Sequence, residues 1–313
     1  MDIIHTNDSR EELMLDKISV SPVAERIVPM SDTKEIQRLQ KIARELRVDT
    51  LVMLHLAGSG HTGGSLSLIE IITALYFKIM RHDPKNPDDP ERDRFVLSKG
   101  HGGPALYVAL AKTGYFPRKE LWSLRKLGSI LQGHPDMLLT PGVDFSTGSL
   151  GQGFSAANGM ALAFKIDNKP CYVYTVIGDG ESQEGQIWEA AMSASQFKLK
   201  NLIAFLDANE LQIDGRVEDI KNVEPLEDKW KAFGWNTYKI NGHSFQEILD
   251  AVEDAKRNPE PKPTMIISKT IKGKGISFME NMIKYHGISP TKEELKEAII
   301  ELTGDYKGIE AYQ

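Results

Sequence analysis

The sequence predicts an α/β protein of the doubly wound kind, a mainly parallel sheet with helices on both faces. Five short apolar runs, at 94–98, 172–177, 202–206, 236–240 and 264–269, are mostly continuous rather than alternating. That pattern belongs to strands buried on both faces. Segments of helical spacing lie between these runs, so strand, turn and helix alternate. The run at 172–177 also stops abruptly in Gly178-Asp179-Gly180. Sheets of this class bind ligands beyond the carboxyl ends of their strands.

Residues 1–33 show no sustained periodicity and read as an arm. A helix is expected from about Asp32, with Glu35 as a capping-box partner and Ile36, Leu39, Ala43 and Leu46 as its apolar face. A second helix carries Leu68, Ile72, Leu75 and Ile79. The Pro- and Asp-rich stretch 81–91 is a loop. After the strand at 94–98, residues 104–113 read as a helix. Beyond the strand at 172–177, a helix starts near Glu181, with Ile187, Ala190, Ala191, Ala194 and Phe197 on its apolar face. Ser244 with Glu247 opens another as a capping box, between the runs at 236–240 and 264–269. A helical tail, 292–302, follows. The expected division is an arm (1–33), one binding domain (34–290) and a tail (291–313).

Composition excludes several classes. An apolar fraction of 41% can build a core, and a net charge of −6 argues against nucleic acid as the main partner. The single cysteine, Cys171, permits no internal disulfide and reads as a small core residue. No run of apolar residues is long enough to span a membrane, and the N-terminus lacks the pattern of a secretory signal. A soluble, cytoplasmic protein is expected.

Asp-Gly is ordinary turn chemistry, so Asp179 needs a second observation. The strand at 202–206 ends in Asp207-Ala-Asn209-Glu-Leu211, another loop rich in oxygen donors. Asp179 and Asn209 are 209 − 179 = 30 residues apart, about one strand–helix–strand unit, which would bring both loops to one edge of the sheet. Asp179 offers a carboxylate oxygen, Asn209 an amide oxygen, and a backbone carbonyl just beyond, that of Leu211, a third. Mg²⁺ completes such a set with water and a ligand's phosphates. Gly178 and Gly180 would let a diphosphate approach the backbone, and a helix start beside them would supply N–H groups. The two loops read as a magnesium–diphosphate clamp.

Gly-Asp-Gly followed about thirty residues later by Asn resembles the thiamine diphosphate motif. The fuller text resembles the transketolases: SGHTGG (59–64), RFVLSKGHG (94–102), GHPD (133–136), STGSLGQG (146–153), GDGESQEG (178–185) and DANELQIDG (207–215) stand in that family's order. The resemblance covers roughly 34–290 and implies thiamine diphosphate and Mg²⁺ as cofactors. It makes His61 and His134 contacts to the sugar donor, and places His101 and His286 near the diphosphate and the reacting carbons. It also sets Gly148 and Leu150 against the pyrimidine and linker. Imidazoles suit the reaction, because a ketose hydroxyl must lose a proton and an acceptor aldehyde must gain one. Glu184 and Glu189 correspond to acids near the family's subunit interface, linked there to cofactor activation, which makes Glu184 a cofactor-binding candidate, and equally to acids favoured at a helix N-terminus. Lys269, Lys272 and Lys274 are either phosphate contacts or a solvated loop. His243 reads as turn structure. Thr62 and Ser149 depart from the proline found in many members, with no essential group lost.

A full transketolase continues with a pyrimidine-binding domain, which holds the glutamate that activates the cofactor and the arginines expected to hold the sugar phosphate. The expectation is therefore an N-terminal subunit of a split transketolase, active only with a partner subunit carrying that domain, in an α2β2 heterotetramer. It would transfer a two-carbon ketol unit from a ketose phosphate to an aldose acceptor in carbohydrate (pentose phosphate) metabolism. The alternatives are a 2-oxoacid dehydrogenase α chain, a fragment like deoxyxylulose-phosphate synthase, or a non-catalytic cofactor-binding subunit.

Overall fold

A computed structural model describes residues 33–312. The expected cap Asp32 lies outside them, as does most of the arm. The first helix, α1 (Thr33–Ala57), buries Leu39, Ala43 and Leu46 as the spacing requires. The capping box expected between Asp32 and Glu35 therefore lies outside the described residues; the Glu35 carboxylate pairs with Arg38 at 2.8 Å and Lys78 at 3.7 Å. The expected second helix is broken into α2 (Thr62–Leu66), α3 (Ile69–Ala74) and a wide π turn over Leu75–Ile79. Leu68, at the junction, is fully buried.

The first strand is β1 (Arg94–Leu97), followed by α4 (Gly103–Thr113), with Pro104 at its start and Gly114 ending it in a left-handed conformation. Then come α5 (Gln152–Ile166), which the sequence patterns did not single out, β2 (Val173–Gly178) and α6 (Gly185–Gln196). The helix expected near Glu181 is a single 3-10 turn over Gly180–Gln183, and α6 starts only at Gly185. Phe197 falls one residue beyond α6 and is exposed, whereas Ile187, Ala190, Ala191 and Ala194 are buried. Next are β3 (Leu202–Ala208), the two-residue hairpin strands β4 (Leu211–Gln212) and β5 (Gly215–Arg216), α7 (Val217–Lys221) and α8 (Leu226–Ala232). The chain closes with β6 (Asn236–Asn241), α9 (Phe245–Arg257), β7 (Thr264–Lys269) and α10 (Lys292–Thr303). Ser244 does cap α9 by accepting from the Glu247 N–H, but the Glu247 carboxylate reaches the Asn241 N–H instead of completing the box.

The five longer strands form one parallel sheet in the order β1-β2-β3-β7-β6. Their side chains alternate between two cores. Phe95, Leu97, Tyr174, Val176, Ile203 and Phe205 face α1, α3, α4 and α9. Val96, Val173, Ile177, Leu202, Ala204 and Leu206 face α5, α6 and α8. Both cores are apolar, which is why the runs read as continuous. Cys171 is buried and free, as expected. On the far side of α1, Val48, Leu51 and Val52 meet Leu295, Ala298 and Ile299 of α10. Among the described residues no helix is long and apolar enough to cross a membrane.

Parallel pairing aligns the carboxyl ends. Gly178 pairs with Asp207, Asp207 with Ser268 and Ala208 with Lys269. The loops leaving β1, β2, β3 and β7 therefore open at one edge, and they carry His101, Asp179, Asn209 and Lys272.

Candidate active site

Four histidines meet there. The ring of His61 lies 5.6 Å from that of His101, 5.9 Å from His134 and 5.7 Å from His286, and His101 stacks on His286 at 5.3 Å. They come from four separate segments: the start of α2, the turn after β1, the loop before α5 and the 3-10 turn Ile283–His286. The structure thus brings His61, His101, His134 and His286 together, as the resemblance implies. Among the described residues the other three stand elsewhere: His55 against the Pro290 carbonyl, His82 between Tyr76 and Tyr115, and His243 beside Glu70.

The two oxygen-bearing loops also meet. Asp179 accepts from the Gly180 N–H at 2.7 Å and, across the gap between strands, from the Glu210 N–H at 2.5 Å. Asn209 is buried, and its amide oxygen accepts from the Leu211 N–H at 3.2 Å. The Leu211 carbonyl takes the ammonium of Lys272 at 3.0 Å, and that ammonium also stands 2.8 Å from Nδ1 of His286. Lys272 therefore links the proposed metal loop to the histidines. The three lysines left open by the sequence separate cleanly: Lys272 is 1% exposed, Lys269 is exposed, and Lys274 pairs with Glu280 at 3.1 Å.

Glycines make the close approach possible. A Cβ on Gly63 would lie 2.9 Å from Cγ of Lys272, and one on Gly64 would lie 3.0 Å from Cδ2 of His101. Gly148 has φ +149°, and its Cβ would meet the His134 ring at 3.3 Å. Gly273 has φ +79°, and a Cβ there would lie 2.3 Å from the Met279 carbonyl oxygen. Gly273→Ala should therefore cost about 1–3 kcal/mol, read as a lowered Tm; an unchanged Tm would show that the loop relaxes.

Burial and a cluster of cations set the charge state. Burial, with Arg125, His134, Lys272 and Lys99, pushes His61 down to about 4. Burial and Lys272 push His286 down to about 3. His101 moves the same way through burial and Lys99, and His134 through burial and Arg125. All four are neutral imidazoles at neutral pH. Burial and Asp207 push Asp179 up to about 7, and burial and Lys99 push Lys272 down to about 8. Each of these groups would gain from the opposite charges of a metal–diphosphate. The buried Nδ1 of His61 also has no hydrogen-bond partner among the described residues. The residues present fit such a ligand.

Several residues here were not read from the sequence. Lys99 and Asp207 form a fully buried ion pair, and Asp207 also accepts from Thr270 and, at 2.7 Å, from Ser67. Lys99 sits two residues before His101, which was the available signal. Glu181 is buried, accepting from Ser98 at 2.5 Å, the Gly151 N–H at 2.9 Å and the Gly178 N–H at 3.0 Å. It ties the turn after β1, the start of α5 and the end of β2. Thr62 gains a role as well, donating to the Ile288 carbonyl at 2.7 Å just past His286. Leu150 is half-buried. Glu184 and Glu189 are exposed at the start of α6, and no hydrogen bond joins their side chains to the histidines.

The parallel sheet and the side chains gathered at its carboxyl edge define an α/β ligand-binding domain of the doubly wound kind. Residues 37–309 match the family model "Transketolase, thiamine diphosphate binding domain". The chain is 56% identical over 264 residues to a 6-deoxy-6-sulfo-D-fructose transketolase subunit of Clostridium sp. (strain MSTE9), covering 84% of this chain and 96% of that protein. It is 41% identical to an apulose-4-phosphate transketolase subunit of Phocaeicola vulgatus, over 88% of this chain and 98% of that one. The crystal structure of Campylobacter jejuni transketolase superposes with a TM-score of 0.82 at 37% identity, covering 86% of this chain and 43% of that one. The chain thus spans less than half of that transketolase, and nearly all of the two subunits. It belongs to the transketolase family and carries that family's N-terminal, thiamine diphosphate binding domain.

Proposed function

We propose that this chain is the diphosphate-binding subunit of a two-polypeptide transketolase. It would move a two-carbon ketol unit from a ketose to an aldose acceptor. The observation that carries this is the convergence of four neutral imidazoles on the Asp179–Asn209 loop pair. The split arrangement is supported by the near-complete coverage of proteins described as subunits. A partner subunit would bring the pyrimidine-binding half, with two copies of each chain. A cytoplasmic location fits this reading, and residues 34–290 would be the binding domain, with 1–33 as an arm and 291–313 as a tail.

Asp179, Asn209 and the Leu211 carbonyl would hold Mg²⁺. Gly178, Gly180, Lys272, His101 and His286 would face the diphosphate, and Gly148 and Leu150 the pyrimidine and linker. Glu184 and Glu189 would meet the partner. Thiamine diphosphate, when bound, supplies the carbanion stabilisation. The chain's own part is proton handling and orientation. A neutral imidazole at His61, His101, His134 or His286 can accept the donor hydroxyl's proton as the C–C bond breaks and return a proton to the acceptor's aldehyde oxygen. The Arg125 cation, close enough to depress His61 and His134, suits a donor with a terminal anion. We propose a ketose phosphate or sulfonate; 56% against 41% identity favours the sulfonate.

The test is reconstitution with the partner subunit, Mg²⁺ and thiamine diphosphate, offering a ketose phosphate, a sulfoketose and pyruvate. Transfer from either ketose supports the reading; use of pyruvate alone moves the chain to the 2-oxoacid enzymes. The isolated chain should give no ketol transfer, and turnover by it at the rate of the complex would sink the split-enzyme reading.

A further inference from the structure

The loop after β7, Thr270 to Gly275, carries Lys272 into the site, and its backbone is held by side chains from the neighbouring turn after β6 and from α3 and α1. Nε2 of His243, from the turn between β6 and α9, accepts the Ile271 N–H at 2.9 Å. That bond leaves the ring proton on Nδ1, which stands 2.9 Å from Oε2 of Glu70 on α3. The other Glu70 oxygen takes Nη2 of Arg47 on α1 at 2.6 Å. Nε of Arg47 then donates to the Lys274 carbonyl at 3.0 Å. The relay thus leaves the loop at Ile271 and returns to it at Lys274, bracketing Lys272. Arg47 and Glu70 are each 7% exposed, and burial opposes the charge on Glu70, yet Arg47 and His243 hold its carboxyl below the ordinary range.

The loop is built to this relay. Gly275 has φ +95°, and a Cβ there would lie 2.8 Å from Nε of Arg47. Other anchors take different atoms: the Gly273 N–H goes to the Gly63 carbonyl, the Gly275 N–H to Glu280, and the Thr270 hydroxyl to Asp207. A buried ion pair adds little net stability against an apolar replacement, so its use here lies in geometry. Groups behind a ligand-binding residue fix its orientation and carry much of its effect.

We propose that His243, Glu70 and Arg47 form a clamp that sets the backbone of 271–274 and so places the Lys272 ammonium, with His243 as a positioning residue for the cofactor site. The role given to Lys272 rests on the cofactor reading above; the clamp itself does not.

Two measurements on the full chain test it. In His243→Ala, amide hydrogen exchange of a peptide spanning 270–276 should speed about tenfold, as for loss of one buried hydrogen bond, with β3 unchanged. His243→Gln, whose amide oxygen can still accept the Ile271 N–H, should restore protection. Calorimetric titration with thiamine diphosphate and Mg²⁺ should then show binding weakened about 10–100-fold in His243→Ala. Lys272→Met should weaken it similarly, and the double variant no further than the weaker single. Unchanged exchange at 270–276 overturns the clamp, and additive losses overturn its action through Lys272. If the wild-type chain binds no cofactor, either alone or reconstituted with its partner subunit, the cofactor reading falls, and the exchange data still decide the clamp.

Discussion

Asp179→Ala should abolish Mg²⁺-dependent binding of thiamine diphosphate while the circular dichroism spectrum stays that of the wild type. The side chain is the only carboxylate among the three proposed metal donors, so its removal should exceed the ~10–100-fold losses typical of groups one layer further out. The fold should survive because the cost is local. Two N–H groups, of Gly180 and Glu210, lose an acceptor, at about 1 kcal/mol each. Against this, a carboxylate that burial and Asp207 disfavour is gone. Calorimetry on the full chain decides the matter: an unchanged affinity removes Asp179 from the site.

Lys99→Met should be the most damaging substitution for stability. The ammonium donates to the Gly64 carbonyl at 3.0 Å and pairs with Asp207, and the two side chains are 1% and 0% exposed. Methionine fills the space and leaves Asp207 ionised without a counter-charge. Breaking one side of such a pair costs about 3–5 kcal/mol, a fall in Tm of roughly 10 °C for a chain of this size. A second substitution, Asp207→Asn, should recover part of the loss by removing the stranded charge. If Lys99→Met alone melts with the wild type, water or a neighbouring group must reach Asp207, and the pair is not the keystone its burial suggests.

The sheet was legible because burial on both faces leaves a nearly unbroken apolar run in β1, β2, β3 and β7, and the half-exposed edge strand β6 still falls on the fifth run. Boundaries were less so. Leu68 to Ile79 keeps helical spacing, but its backbone is cut by a junction at Leu68 and a π turn, which side-chain periodicity does not report. The apolar stripe of α6 overran to Phe197 because an exposed phenylalanine looks like a buried one on paper. In the site, the convergence of His61, His101, His134 and His286 was legible only through the resemblance to the transketolases, since a histidine beside glycine is by itself an ordinary loop residue; what they do there is proposed. Lys99, Asp207 and Glu181 were not read, since a buried charge is indistinguishable from a surface one until its partner is known. His243 shows the limit most clearly: its partner Glu70 is 173 residues away, beyond any local pattern.

The loops at the sheet's edge have a further consequence, for how the chain folds and is protected. Residues from His61 to His286 meet in one place, so no fragment shorter than nearly the whole sheet can present the site. Such non-local contacts form late, after the cost of closing long loops has been met. A ligand seated there would couple to global unfolding rather than to local fraying. At one hundred times its dissociation constant it would add about 2.7 kcal/mol to the whole chain, and resistance to proteolysis should rise together in β1, β2, β3 and β7.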